Sequence, residues 1–218
     1  MKSIALIHTV KSVAMTFDQQ LRDGVGEEVK IHNLLDDFLA NNPNEIGMFS
    51  MDNRNRFLLD VKAAELTGAD MIVTTCSTLT PIVEMVRPFV KVPIVAIDDA
   101  MAKKGVTYGD NIMILATAES TIQPSISKLK VEAGEINHNI SISYRVCHEA
   151  FAALKAMDMK LHDSLLLELA KEVKGYDCII LAQASMEHLE SSIGKITGCP
   201  VLSSPKLCIQ QIHQMIKA

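Results

Sequence analysis

Short apolar runs recur along the chain at positions 4–8, 29–32, 71–75, 94–97, 112–116, 140–143, 179–182 and 201–203. Each is too short for a buried helix and rich in Ile, Val and Leu, as expected for strands covered on both faces. Between them lie amphipathic stretches with helical spacing, for example 54–66 and 161–173. Strand and helix in alternation predict parallel sheets joined by crossover helices, an α/β fold. The pattern also repeats. Gly68-Ala-Asp70-Met-Ile72-Val-Thr-Thr-Cys76 aligns without a gap on Gly175-Tyr-Asp177-Cys-Ile179-Ile-Leu-Ala-Gln183, a displacement of 107 positions. The same displacement sets Leu79, Ile82, Val86 and Phe89 on Met186, Leu189, Ile193 and Ile196, one apolar face of a helix, and Pro93 on Pro200. A displacement of 108 sets Ser3–Thr9 on Asn111–Thr117, and Ser12 on Ser120. The expectation is two similar lobes, each a parallel sheet flanked by helices and related by a pseudo-twofold axis. The boundaries read as residues 1–98 plus 205–218 for an N-terminal lobe and 99–204 for a C-terminal lobe, with a final helix near 205–217 packing back on the first.

Composition narrows the function. With 48% apolar residues the chain is globular, and with 4% aromatics and no Trp its core rests on aliphatic side chains and the 12 Met. The net charge of −5 carries no basic stripe, which argues against nucleic acid as a partner. No apolar run is long enough for a membrane span, and the opening Met1–Ile7 reads as a strand rather than a leader. Five cysteines without a CxxC pair or an even frame fit reduced thiols and a cytoplasmic protein. Cys178 and Cys199 read as buried hydrophobes. Cys147, His148 and His162 lack the spacing of a zinc site, so no metal is expected.

Ligands of open parallel sheets bind beyond the carboxyl ends of the strands. Four such ends are rich in hydroxyl groups: His8-Thr9, Thr74-Thr75-Cys76-Ser77-Thr78, Thr117-Ala-Glu-Ser120-Thr121, and Gln183-Ala184-Ser185. If the lobes face each other, these ends converge on one cleft. Hydroxyls together with the N–H groups that open a helix make an anion-binding surface, though Ser and Thr also serve simply as helix caps. Cys76 stands apart, because a thiol leaving a buried strand just before a helix is placed to ionise. His162-Asp163, ahead of a helical run, and His8 read either as acid–base groups or as bystanders, with Asp163 or Ser164 a possible cap. Asp36 and Asp37 read as cleft residues or as capping acids.

In this order and spacing the residues resemble the aspartate/glutamate/hydantoin racemase superfamily. Asp70-Met-Ile-Val-Thr-Thr-Cys76-Ser-Thr is similar to its first cysteine motif, Asp177-Cys-Ile-Ile-Leu-Ala-Gln183 takes the place of the second, and Pro200-Val201-Leu202-Ser203-Ser204-Pro205 resembles the segment that follows. Asn33-Leu-Leu-Asp36-Asp37 and the Thr117…Thr121 loop are similar as well. The resemblance implies cofactor-independent chemistry on a small amino or dicarboxylic acid, in enzymes that are often dimeric. One thiolate removes the proton next to the carboxylate and a second thiol returns one. It further implies Cys76 as acid or base, with His8, Thr9, Ser77, Thr78, Thr117, Thr121, Ala184 and Ser185 holding the substrate. The departure is Gln183, whose amide has no useful pKa and cannot exchange a proton. Three readings therefore stand: a racemase-like isomerase with Cys76, Gln183 and His162 at its centre; a single-thiol decarboxylase or cis–trans isomerase of a diacid; and a non-catalytic binder.

Overall fold

A computed structural model describes residues 1–26 and 28–217. Glu27 and Ala218, both assigned above to the N-terminal lobe, lie outside the described residues. The chain divides into two compact units, Met1–Asp99 together with the segment from Pro205 onward, and Ala100–Ser204.

The first unit runs β1 (Lys2–His8), α1 (Lys11–Val25), β2 (Val29–Leu35), α2 (Phe38–Ile46), α3 (Met51–Glu65), β3 (Met71–Thr74), α4 (Thr80–Val86) and β4 (Ile94–Ala96). Its strands form one parallel sheet in the order β2-β1-β3-β4. The second unit, after the first residue of α5 (Asp99–Gly105), runs through α5, β5 (Asn111–Ala116), α6 (Ile122–Glu135), β6 (Ser141–Val146), α7 (His148–Lys155), α8 (Met159–Lys171), β7 (Cys178–Leu181), α9 (Glu190–Thr197) and β8 (Val201–Leu202). Its parallel sheet repeats the order as β6-β5-β7-β8. The α/β fold with two four-stranded parallel sheets is thus the one the hydrophobic pattern predicts. The last helix, α10 (Ser204–Lys217), belongs almost wholly to the first unit.

The sequence repeat is written into the hydrogen bonds. Asp70 accepts from the Ser3 N–H at 2.7 Å, and Asp177 accepts from the Asn111 N–H at 2.8 Å. Each carboxylate ties the start of the first strand of its unit to the turn before the third. Pro93 and Pro200 carbonyls accept from Ile72 and Ile179, each at 2.9 Å. Gly68 and Gly175 precede these acids with φ of 74° and 78°, a left-handed turn that a side chain would strain.

The central strands β1, β3, β5 and β7 carry the cores. In the first unit Ile7, Ile72, Phe57, Val61, Leu79 and Val83 pack together with little or no exposure. Met113, Leu115, Leu166, Ile179, Leu181 and Ile193 do so in the second. With both faces covered, β3 and β7 are buried at every position, which is why neither shows a period-two alternation.

Candidate active site

Cys76 sits two residues beyond β3, in extended backbone (φ −137°, ψ 121°) and partly exposed. Its Sγ lies 2.9 Å from the Thr78 hydroxyl. A helix was expected to start directly after it. A 3-10 turn, Ser77–Leu79, intervenes, closed by the Leu79 N–H on the Cys76 carbonyl at 3.0 Å, and α4 follows from Thr80. Pro81 at the start of α4 suits a first helical turn, and the Thr80 hydroxyl anchors it by donating to Asp98 at 2.6 Å.

The neighbouring end of β1 carries His8 and Thr9. His8 is wholly buried, and burial holds its pKa below the ordinary value, against the raising effects of Asn33 and Asp18. Its Nε2 lies 2.9 Å from Asn33 Oδ1 and its Nδ1 lies 2.8 Å from the Thr75 hydroxyl. Because the Asn33 amide nitrogen donates to Asp18 at 2.6 Å, Asn33 Oδ1 is an acceptor, so His8 carries its proton on Nε2 and accepts from Thr75. Both ring nitrogens are engaged with protein, and the chain Asp18–Asn33–His8–Thr75 braces the residue before Cys76. Thr9, 2% exposed, has a buried hydroxyl oxygen without a partner among the described residues. Such an oxygen is costly unless something else bonds it.

At the end of β2, Asp36 is buried and bonded to the Arg56 guanidinium, which lies 5.0 Å from the Phe38 ring centre. Asp60 in α3 is pushed up to about 7 by burial, then by the Asp36 charge and the hydrogen bond between the two carboxyls. Asp37 occupies the position before α2 without a side-chain cap. Asp60 and Arg56 drew no attention in the sequence, since nothing in their spacing marks them as partners of Asp36.

In the second unit the Gln183 amide is bonded at both ends. Its Oε1 accepts from the Thr117 N–H at 2.8 Å and its Nε2 donates to the Thr117 hydroxyl at 2.7 Å. The two ends thus staple β7 to β5. The Thr121 hydroxyl donates back to the Ala118 carbonyl at 2.8 Å, and Ala184 and Ser185 open a partly buried 3-10 turn, Ala184–Leu189. His162, read from sequence as preceding a helix, lies inside α8 and is wholly buried. The cap of α8 is Asp158, which accepts from the Leu161 N–H at 2.9 Å, rather than Asp163 or Ser164. Asp163 instead receives His162 and His188. Its burial acts to raise its pKa, but those two hydrogen bonds outweigh it and leave the carboxyl below the ordinary range. His188 was invisible in the sequence, standing 25 residues from Asp163 with no shared motif.

All five cysteines are free. Burial pushes the Cys178 thiol up to about 12, and burial likewise raises Cys208. Cys147 follows the edge strand β6 and packs on the second core, as Cys199 does. Cys76 is the thiol at the carboxyl end of a central strand. A cavity of about 300 Å³ lined by Arg87, Val90, Lys91, Val92, Pro93 and Ile94 lies at the amino end of β4, the wrong end of the sheet for this chemistry.

Two parallel α/β units, with a hydroxyl-flanked thiol at a central strand end of the first, define the class of fold, and comparison with known proteins gives the family. Residues 50–212 match the family model for Asp/Glu/Hydantoin racemase, and the chain belongs to that family. A hydantoin racemase from Rhizobium meliloti is 24% identical over 163 residues, 74% of this chain and 66% of the relative, a little under two thirds of its length. Among solved structures, glutamate racemase isoform RacE1 from Bacillus anthracis superposes with a TM-score of 0.72 at 17% identity, covering 99% of this chain and 82% of that one. An aspartate racemase homologue from Pyrococcus horikoshii gives 0.71 at 16% identity, with both chains covered completely. An allantoin racemase from Pseudomonas fluorescens gives 0.66 at 17% identity, covering 99% of this chain and 91% of that one.

Proposed function

We propose that this protein is a cofactor-independent, racemase-like isomerase of a small amino acid or related carboxylate, with Cys76 as its acid–base group. The position of Cys76 carries the reading. It is a partly exposed thiol whose sulfur touches the Thr78 hydroxyl, at the end of the strand paired with β1, and just past β1 stands Thr9, whose buried hydroxyl has no partner among the described residues. In the forward step the thiolate takes the proton from the carbon next to the substrate carboxylate, and the electron pair left behind delocalises into that carboxylate. Thr9 and Ser77 hold the carboxylate, leaving the Thr78 hydroxyl for the sulfur. The Thr78 hydroxyl stabilises the thiolate by donating to it. Inversion is completed by water, which gives the carbanion a proton on the opposite face, a role the Gln183 amide cannot fill. Family membership and the hydantoin racemase likeness support an α-carbon substrate. Among the described residues no helix is long and apolar enough to cross a membrane, and the five free thiols support a cytoplasmic setting.

The commitment of Gln183 to Thr117 favours a second reading, in which Cys76 works alone. A single thiol can protonate the carbanion left by decarboxylation of a malonate-type acid, or add to an unsaturated diacid and depart after rotation. Incubating aspartate, glutamate, hydantoins, malonate-type acids and a cis-unsaturated diacid with the protein in heavy water separates the readings. Deuterium incorporation at the carbon next to the carboxylate, lost in Cys76→Ser, supports the first. Loss of carbon dioxide or cis–trans conversion, with no deuterium in the recovered unconverted acids, supports the second. Turnover that survives Cys76→Ser would remove both.

A further inference from the structure

The second unit holds a compact group that the chemistry of Cys76 does not use. His162, Asp163 and His188 each present one ligand atom, and the three atoms lie within 4.8 Å of one another. Asp163 Oδ1 accepts from His162 Nδ1 and from His188 Nε2, both at 2.8 Å. The imidazole rings lie 6.4 Å apart at 27°, one on each side of the shared oxygen. His162 is wholly buried in the first turns of α8, whereas His188, on the 3-10 turn after Gln183, is 46% exposed. The group thus has a fixed inner wall and an open outer side.

We propose that His162, Asp163 and His188 form a binding site for one divalent transition-metal ion of the zinc, cobalt or nickel class. Two imidazoles and one carboxylate are the donor set these borderline ions take, with the remaining positions left to water on the exposed side. At metal–ligand distances of about 2.1 Å, a tetrahedral ion sets two donors roughly 3.4 Å apart. Both N···O separations of 2.8 Å need to open by about 0.6 Å and the two nitrogens, within 4.8 Å of each other, need to reach the same spacing, movements that fall to the partly exposed Asp163 and His188 rather than to buried His162. The two N–H hydrogens now directed at Asp163 occupy the place the ion would take.

One feature sets the strength of the site. His162 Nε2 is buried without a partner among the described residues. With Nδ1 donating to Asp163, that nitrogen is a bare acceptor, and binding of an ion at Nδ1 moves the ring proton onto it. Metal-bound histidines ordinarily give this second N–H to an oxygen, and loss of such a partner weakens metal binding about 10–100-fold. The site is therefore expected to bind zinc in about the micromolar range rather than the nanomolar. Once bound, the ion would pin the start of α8 to the turn that follows Gln183.

The untagged full chain, stripped with chelator and dialysed, would be titrated with zinc chloride by calorimetry, and with cobalt chloride by visible absorption. One equivalent per chain is expected, with a rise in Tm. His188→Ala and Asp163→Asn, both at positions that are not fully buried, should each weaken binding at least about tenfold. Cys147→Ser and Cys76→Ser should leave it unchanged. Absence of saturable binding would overturn the proposal, as would binding that is indifferent to His188→Ala and Asp163→Asn or that depends on either cysteine.

Discussion

The amide of Gln183 shows how one residue decides between mechanisms. Its two polar ends match the N–H and hydroxyl of Thr117 so closely that the side chain is a strut, not a reactive group. Replacing it with the similarly sized Leu strands both Thr117 groups, and Gln183→Leu should cost about 1–3 kcal/mol in urea unfolding. Cys76→Ser should be nearly neutral in the same measurement while removing turnover, because a hydroxyl keeps the contact with Thr78 but does not ionise near neutral pH. Asp60 makes a separate prediction about pH. Between 3.8 and about 7 the folded chain keeps a proton on Asp60 that the unfolded chain has released. Its contribution to stability is therefore full at the acid side of that window and is lost as pH rises through the folded value. Allowing for solvent screening of a half-buried group, the loss is about 1–2 kcal/mol, and Asp60→Asn should flatten the Tm–pH curve there. Cys76 was legible in the sequence because a thiol ending an apolar run is a local signal. The partners of His8, Asp36 and Asp163 were not, because those contacts join residues whose proximity depends on strand order and helix packing.

At the scale of elements the repeat was the strongest signal, and it reads through to matched hydrogen bonds at Asp70 and Asp177 and matched left-handed turns at Gly68 and Gly175. The eight strands among the described residues were visible as short runs, most plainly the central ones, where burial on both faces leaves only an apolar composition. Their ends were less so. β2 extends to Leu35 beyond the expected stop at 32, because as an edge strand its exposed positions accept polar residues and blur the pattern. The 3-10 turns after β3 and β7 were also missed, since their residues suit a first helical turn equally well. No side-chain atom lies within 4 Å of where a Cβ on Gly68 or Gly175 would sit, so their substitution tests backbone geometry alone. Gly68→Ala and Gly175→Ala should each cost about 1 kcal/mol, and by similar amounts, in chemical denaturation.

Over the whole molecule, α10 returns to the first unit and buries Cys208, Ile209 and Ile212 there. The fit against α1 is close. A Cβ on Gly24 would stand 2.4 Å from Ile209 Cγ2, a branched methyl with little freedom to move. Gly24→Ala should therefore destabilise the protein by about 1–3 kcal/mol, and Ile209→Ala in the same chain should recover part of that loss. Equal melting of the single and double variants would show that α1 and α10 tolerate separation.

That return also orders events during synthesis. As the polypeptide leaves the ribosome, the Ala100–Ser204 body emerges ahead of α10, the helix that completes the unit made before it. Until that helix emerges the seat of Ile212 stays uncovered, so the unit begun first is the last to receive all of its residues.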